Sequence, residues 1–260
     1  MKSEINIGYN ETIDKLSIRI EANKKYSNFS LEAWLEQNLP FKEGNKILDV
    51  GCGSGNLFPS YSDRIRQTGV IVGFDQSGDL LAEAALVNII TPVVLLQLNM
   101  NNPLPFVPGS FDYVISTFAI YYVEDVTLIA EDIRRVLKRH GEFIFIGPTD
   151  KNARELYDLN KMVFKIDRTE RIDKRTNRIE KEFYPVMSKL FKHVTTMIIP
   201  NKLIFPNKKE YLKYYLATLL FEESVKEANR KFDLHHLEEI DLPSLEISKE
   251  MIMLRGESAD

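Results

Sequence analysis

The sequence predicts an α/β fold built on a doubly wound, largely parallel sheet, and three observations carry that prediction. Short, nearly continuous apolar runs recur between residue 46 and about residue 147. Segments with helical periodicity separate them. A glycine-rich turn, Gly51–Gly55, follows the first run directly. Strands covered on both faces read as unbroken apolar runs rather than as alternation. Strand–helix–strand alternation at this spacing gives parallel pairs.

The elements follow in chain order. Ile13, Leu16 and Ile20 form one weak apolar stripe and Leu31, Trp34 and Leu35 another, which predicts a helical arm ahead of the sheet. Lys46–Val50 (KILDV), Val70–Phe74, Val93–Leu98, Asp112–Ser116 and Glu142–Ile146 are the first five predicted strands. Ser77 is placed to cap a helix running to Asn88, because a short hydroxyl accepts from first-turn N–H groups. Asp125 is placed to cap another running to Lys138. Val126, Ile129, Ile133, Val136 and Leu137 share its face, and Gly141 lies beyond its end. Residues 151–192 look helical and strongly charged. Val194–Ile199 reads as a sixth strand, Asn207–Ser224 as a helix and Ile247–Leu254 as the last strand.

Composition bounds the function. The 260 residues are 44% hydrophobic and 28% charged, an ordinary globular balance. A net charge of −4 and a pI near 5.7 give no general attraction to nucleic acid. Residues 161–213 are locally basic, with fourteen Lys or Arg against six Asp or Glu. This reads as a solvated helical face, with a surface for an acidic substrate or carrier protein as the sharper alternative. The single cysteine, Cys52, excludes an intrachain disulfide and fits a reducing compartment. The opening MKSEINIGYNETIDK lacks the apolar core of a secretory signal. No run approaches the ~18 apolar residues of a membrane span. The expectation is a cytoplasmic protein without membrane contact.

The strongest motif is ILDVGCGSGN, Ile47–Asn56. An apolar strand ends in Gly51, Gly53 and Gly55, where the chain must turn sharply and let a ligand approach the backbone. A dinucleotide fingerprint would require a glycine at position 56, which is Asn56. A phosphate loop would require Gly-Lys-Ser/Thr, which is absent. The turn therefore favours a nucleoside without a pyrophosphate.

ILDVGCGSG resembles the first motif of class I S-adenosylmethionine-dependent methyltransferases. GFDQS (Gly73–Ser77), LNMNNPLPF (Leu98–Phe106), SFDYVISTFAIYYVED (Ser110–Asp125) and RRVLKRHGEFIFIGP (Arg134–Pro148) resemble the following motifs, in order. The likeness covers roughly residues 40–150 and is of the bacterial small-molecule type. It implies a Rossmann-like seven-stranded sheet, mostly parallel with an antiparallel last strand, and helical insertions after strands 5 and 6. It also implies three parts: a helical arm or lid over residues 1–40, an S-adenosylmethionine-binding core over 41–150, and a substrate-side cap over 151–260.

The resemblance assigns roles residue by residue. Asp49 lies near the methionine ammonium of S-adenosylmethionine, with a loop-stabilising carboxylate as the alternative. Gly51 and Gly53 pass beneath the cofactor, Gly55 opens the following helix, and Cys52 is a small loop residue packed near the ligand. Asp75 accepts from both ribose hydroxyls, with a turn-initiating carboxylate as the alternative, and Gln76 edges the adenine. Asn99 stands where many relatives carry an Asp, a departure, although an amide oxygen still accepts a hydrogen bond. Met100 packs on the purine. Thr117 and Phe118 line the cofactor toward the transferred methyl. Tyr121 and Tyr122 either face the sulfonium, where rings stabilise a cation, or simply pack. Asp112 anchors its strand. Tyr9, Arg19 and Tyr26 belong to an arm that folds over the cofactor in related enzymes, although amphipathic arms usually just pack.

Methyl transfer needs orientation and exclusion of water more than a catalytic constellation, because the donor carries the activation. No paired-cysteine zinc pattern appears. His140 and His193 fall remote from the carboxyl ends of the strands, while His235 and His236 are weak candidates for a general base. No catalytic residue is named. The fourth strand ends in STFA rather than in an Asn/Asp-Pro-Pro-Tyr/Phe loop, and no double-glutamate loop of the protein-arginine type appears. The leading expectation is therefore a small-molecule acceptor (N, O or C), with the Tyr211–Phe221 helix either closing over it or packing in the core. Methylation of RNA or protein and a non-catalytic cofactor-binding protein are the alternatives.

Overall fold

The structure, a computed structural model, describes residues 13–166, 177–228, 237 and 239–258. Seven strands form one sheet in the order β3-β2-β1-β4-β5-β9-β6. These are β1 (Lys46–Val50), β2 (Val70–Asp75), β3 (Val93–Gln97), β4 (Phe111–Thr117), β5 (Leu137–Pro148), β6 (Phe191–Ile199) and β9 (Met251–Ser258). β1 pairs in parallel with both β2 and β4, and β5 continues the parallel set. β9 runs antiparallel between β5 and β6. The sheet is the Rossmann-like one expected, with a single reversed strand.

Both faces are covered, which is why the strands are apolar throughout. On one face α5 (Val126–Val136), a π-helical turn (Ile179–Phe183) and α7 (Tyr184–Leu190) bury Phe143, Phe145 and Leu254. On the other, α2 (Leu31–Asn38), α3 (Phe58–Ile65) and α4 (Gly78–Ala84) bury Ile47, Ile71, Ile115, Ile144 and Ile146. The alternation of Phe143 and Phe145 with Ile144 and Ile146 is the two-residue period of a strand. Both expected caps form. Ser77 accepts from the Leu80 N–H at 3.3 Å, and Asp125 accepts from the Thr127 and Leu128 N–H groups at 2.8 and 3.0 Å, worth about 1 kcal/mol each.

A second cluster lies beyond the sheet. α1 (Ile13–Tyr26), α6 (Arg154–Phe164), α8 (Lys208–Leu216) and α9 (Leu219–Ala228) pack there with a two-stranded ribbon, β7 (Lys202–Ile204) and β8 (Glu246–Ser248). Asn160 donates to Ser224 Oγ at 2.9 Å and accepts from the Tyr215 hydroxyl at 2.8 Å, a buried and satisfied polar network. The arm divides. α1 joins this cluster through Tyr26–Glu210 and Lys15–Glu222, while Leu35 of α2 belongs to the sheet.

Several expected elements differ. The helix expected to run to Lys138 ends at Val136, and β5, expected over Glu142–Ile146, already begins at Leu137. The last strand is two: it breaks at Lys249-Glu250, where β8 leaves for the ribbon and β9 enters the main sheet. The predicted Asn207–Ser224 helix is also two, because Ala217 ends α8 and Thr218 Oγ1 bonds back to the Tyr215 carbonyl at 2.6 Å. The helix from Ser77 stops at Ala84 rather than Asn88. Among the described residues, no helix is long and apolar enough to cross a membrane.

Candidate functional site

In an open α/β sheet, ligands bind outside the carboxyl ends of the strands, where strand order reverses. Here that point lies between β1 and β4, and the glycine turn sits on it. The N–H groups of Gly51 and Cys52 both donate to the Phe74 carbonyl, at 2.9 and 3.0 Å, folding the turn back over β2. Gly51 has φ +75°, and a Cβ there would lie 2.3 Å from Ala119 Cβ, so this turn and the one after β4 touch. Gly53 has φ +55° and nothing within 4 Å of its missing Cβ. Its bare side therefore faces an open crevice, the shape a close-lying ligand requires. Gly55 closes the turn against Phe58 of α3.

Two carboxyl groups flank the turn. Asp75, at the end of β2, accepts from the Gly53 N–H at 3.0 Å and the Ser77 N–H at 2.9 Å. Each oxygen keeps a second lone pair for a ligand. Asp49 is only 3% exposed. Burial, then the charge of Asp75, pushes its pKa up to about 7, while Tyr61 acts in the opposite direction. Burial likewise pushes the Cys52 thiol well up, so it is no nucleophile at neutral pH. Its sulfur lies against the bare face of Gly73, beside Phe58.

Around these groups, Met100 Cε comes within 3.7 Å of the Cβ position of Gly51, so it shares the crevice. Asn99 is exposed, and its side-chain oxygen accepts from the Asn101 N–H at 2.9 Å. Gln76 is exposed at the rim, its carbonyl taking Gln97 Nε2 at 3.0 Å. Thr117 and Phe118 end β4. Phe118 carries φ +56°, a left-handed backbone costing a bulky residue about 1–2 kcal/mol. Its N–H donates to the Ile146 carbonyl at 2.8 Å, which fixes the turn.

The remaining candidates scatter. Tyr121 is buried in the core, its ring 4.6 Å from that of Tyr122. Tyr26 donates to Glu210 at 2.8 Å and packs on Phe205 in the second cluster. Arg19 lies half-buried on α1. Asp112 does anchor its strand, accepting from the Lys46 N–H and Lys138 Nζ, both at 2.8 Å. His140 pairs with Glu257 at 2.6 Å at the amino end of β5, and His193 lies near the start of β6, both far from the crevice. Tyr9, His235 and His236 lie outside the described residues. Among those described, no group of three metal-ligating side chains occurs.

Three residues escape the sequence reading. Ser116 donates to the Val50 carbonyl at 2.8 Å and accepts from the Ile120 N–H at 3.1 Å, tying β4 to β1 below the turn. Tyr61 is wholly buried beside Asp49; its signal is the spacing of Phe58, Tyr61 and Ile65 on one face of the helix after the turn. Arg178 is 5% exposed despite lying in the basic stretch. Its guanidinium donates to the carbonyls of Tyr121, Val123 and Glu124, stapling the loop after β4 to the insertion after β5.

Comparison with known proteins agrees with this geometry. Residues 48–145 match the model of a methyltransferase domain family. The demethylmenaquinone methyltransferase of Oceanobacillus iheyensis is 34% identical over 119 residues, 44% of this chain and 50% of that protein. That of Symbiobacterium thermophilum is 30% identical over 141 residues, 52% and 56% respectively. The chain thus spans about half the length of the curated relatives it matches. Among solved structures, a candidate methyltransferase from Bacillus halodurans C-125 has a TM-score of 0.59 at 16% identity, covering 89% of this chain and 100% of that one. Phosphoethanolamine N-methyltransferase 2 of Haemonchus contortus, solved with S-adenosyl-L-methionine, has a TM-score of 0.50 at 18% identity, covering 88% and 52%. At such identities the structural likeness establishes the fold.

Proposed function

We propose that this chain is a class I S-adenosylmethionine-dependent methyltransferase, that the crevice over Gly53 binds S-adenosylmethionine and that its methyl group passes to a small-molecule acceptor. The observation that carries the reading is the bare, open side of Gly53 set between two carboxyl groups, Asp49 and Asp75. When bound, S-adenosylmethionine supplies a methyl group already activated by its sulfonium.

The chain's own residues bind and orient. Asp75 receives the ribose hydroxyls while holding the turn through the Gly53 N–H. Asp49, once ionised, faces the ammonium. Gly51, Cys52 and Gly55 keep the turn flat and close. Met100 lies against the purine, with Asn99 and Gln76 at its edge. Thr117 and Phe118 border the path of the methyl group, and the Phe118 ring helps exclude water. The second cluster, with α1, forms the acceptor side. A small acceptor fits the net negative charge, the absence of an Asn/Asp-Pro-Pro-Tyr/Phe loop, and relatives named for demethylmenaquinone, a small molecule.

Calorimetry with S-adenosylhomocysteine tests the first half. Binding in the micromolar range that Asp75→Ala weakens at least tenfold is expected, whereas NAD or ATP binding in its place would refute it. Acceptor-dependent release of S-adenosylhomocysteine from a small-molecule pool, against none from RNA or protein, tests the second.

A further inference from the structure

Beneath the glycine turn lies a cluster that this reading leaves half used. Asp49 projects from β1 toward the face covered by α3, where Tyr61 is fully buried. In the β1–β4 register Asp49 sits beside Ile115, and Thr117, two residues on, points to the same face. The Tyr61 hydroxyl and Thr117 Oγ1 are both shut off from solvent and neither makes a well-formed hydrogen bond, although Tyr61 lies close enough to Asp49 and to Thr117 to act on both. Buried hydroxyls are nearly always paired, so two orphans side by side call for an explanation. The titratable groups facing Asp49 are Asp75 from β2, Cys52 from the turn and Tyr61 from α3, and none is a cation. Among the described residues, a carboxylate formed here has no counter-charge facing it.

We propose that Tyr61 is a positioning residue for ligand binding: its hydroxyl, backed by that of Thr117, donates to Asp49 when the carboxyl ionises, so that arrival of a cationic ligand is coupled to release of one proton. The inference rests on reading the crevice as the seat of the methyl donor, whose ammonium supplies the missing cation. The balance is simple. The Asp49 O–H bond breaks, the proton leaves to the buffer, and the ligand's positive charge takes its place. The Tyr61 O–H then points at the carboxylate, and the Thr117 O–H points at the Tyr61 oxygen, so both loosely held hydroxyls gain well-formed bonds in the bound state. The raised pKa of Asp49, about 7, puts this exchange within the neutral range. A hydrogen bond from Tyr61 favours the ionised form, the direction in which it acts on Asp49.

The test is binding of S-adenosylhomocysteine to the full chain as a function of pH. If only the ionised form binds, affinity falls about tenfold between pH 8.5 and pH 6. Calorimetry at pH 6.5 in buffers of different ionisation enthalpy then shows release of most of one proton. Tyr61→Phe removes the donor, which raises the midpoint by about one pH unit, and weakens binding roughly fivefold at pH 7 with convergence on the wild type near pH 9. The ligand's own titration is common to both proteins and cancels in the ratio. Thr117→Val shifts the curve the same way by less. Binding without proton release by the wild type at pH 6.5 overturns the proposal, and that measurement needs no variant. A Tyr61→Phe deficit of equal size at every pH also overturns it, since that is what a merely structural role gives. Absence of binding at all pH values instead defeats the reading of the crevice, and this inference with it.

Discussion

Alanine at Gly51 and alanine at Gly53 should separate the two uses of glycine in one turn. Both positions have positive φ, +75° and +55°, so a side chain at either costs about 1–2 kcal/mol in backbone strain. At Gly51 the new methyl meets Ala119 Cβ at 2.3 Å. That atom is fixed to backbone and cannot swing away, so the turns after β1 and β4 must part, adding about 1–3 kcal/mol of overpacking. Gly51→Ala should therefore lose about 2–5 kcal/mol, a fall of roughly 10 °C in Tm for a chain of this size. Gly53→Ala has nothing within 4 Å and should lose only the strain, about 4 °C. Its methyl stands instead in the crevice, and S-adenosylhomocysteine affinity should drop at least tenfold, about 1.4 kcal/mol. Thermal unfolding with and without ligand, paired with calorimetry, reads both effects. Equal Tm losses would mean that the two turns are not in contact. Wild-type affinity in Gly53→Ala would mean that the ligand does not approach that side, and the site would have to be drawn elsewhere.

Other perturbations act on single groups. Asp49 has a folded-state pKa raised from 3.8 to about 7, so its contribution is unfavourable above that range: the free protein loses stability as pH climbs from about 4 through 7. Asp49→Asn should remove this dependence, stabilise the free protein by about 4 kcal/mol in urea unfolding at pH 8, and abolish ligand binding. An Asn variant that is no more stable at pH 8 than the wild type would refute the burial argument. Phe118→Gly should relieve the φ +56° strain and raise stability by about 1 kcal/mol while lowering turnover, because the ring proposed to border the methyl path is gone. A simple loss of stability would show that the Phe118 ring contributes more than its backbone costs. Arg178→Met should leave three loop carbonyls without their donor and cost about 2–4 kcal/mol in unfolding. A neutral result would place those carbonyls on water.

What the sequence disclosed followed from local rules. Continuous apolar runs marked β1, β2, β3 and β4 to within a residue or two, because a strand buried on both faces has no polar alternation to confuse its ends. Ser77 and Asp125 were legible as caps because a cap needs one residue and its own first turn. β8 and β9 merged into one expected strand since Ile247–Leu254 carries no Gly or Pro; the break at Lys249-Glu250 depends on β7, some forty residues earlier. The Asn207–Ser224 helix split for a similar reason, its Thr218 hydroxyl turning back on the Tyr215 carbonyl without any helix-breaking residue type. Within the site, glycines and carboxylates announce themselves by motif. Tyr61, Ser116 and Arg178 do not, because each acts through atoms far away in sequence. A buried arginine inside a basic stretch looks like its solvated neighbours until the fold brings three carbonyls to it.

The placement of unfavourable features is itself an argument about the site. Toward the amino ends of the strands most polar groups are matched: Asp112 takes a backbone N–H and Lys138, His140 meets Glu257, and Glu142 takes Arg255 on one oxygen while its other is buried without a partner. At the carboxyl ends the chain tolerates the opposite. Among the described residues, a carboxyl group is buried with no cation facing it and two hydroxyls lack a well-formed partner, while Phe118 holds a left-handed backbone, as His140 and His193 also do toward the amino ends. Each lowers the stability of the free protein, and they persist only because two apolar layers on the sheet over-determine the backbone that carries them. A ligand that satisfies them binds the folded chain and not the unfolded one, so at about 100 times its Kd it adds roughly 2.7 kcal/mol to stability. The groups that weaken the empty fold are then the ones that select what fills it: a ligand with hydroxyls for Asp75, a positive charge for Asp49, and a flat face to lie over a glycine.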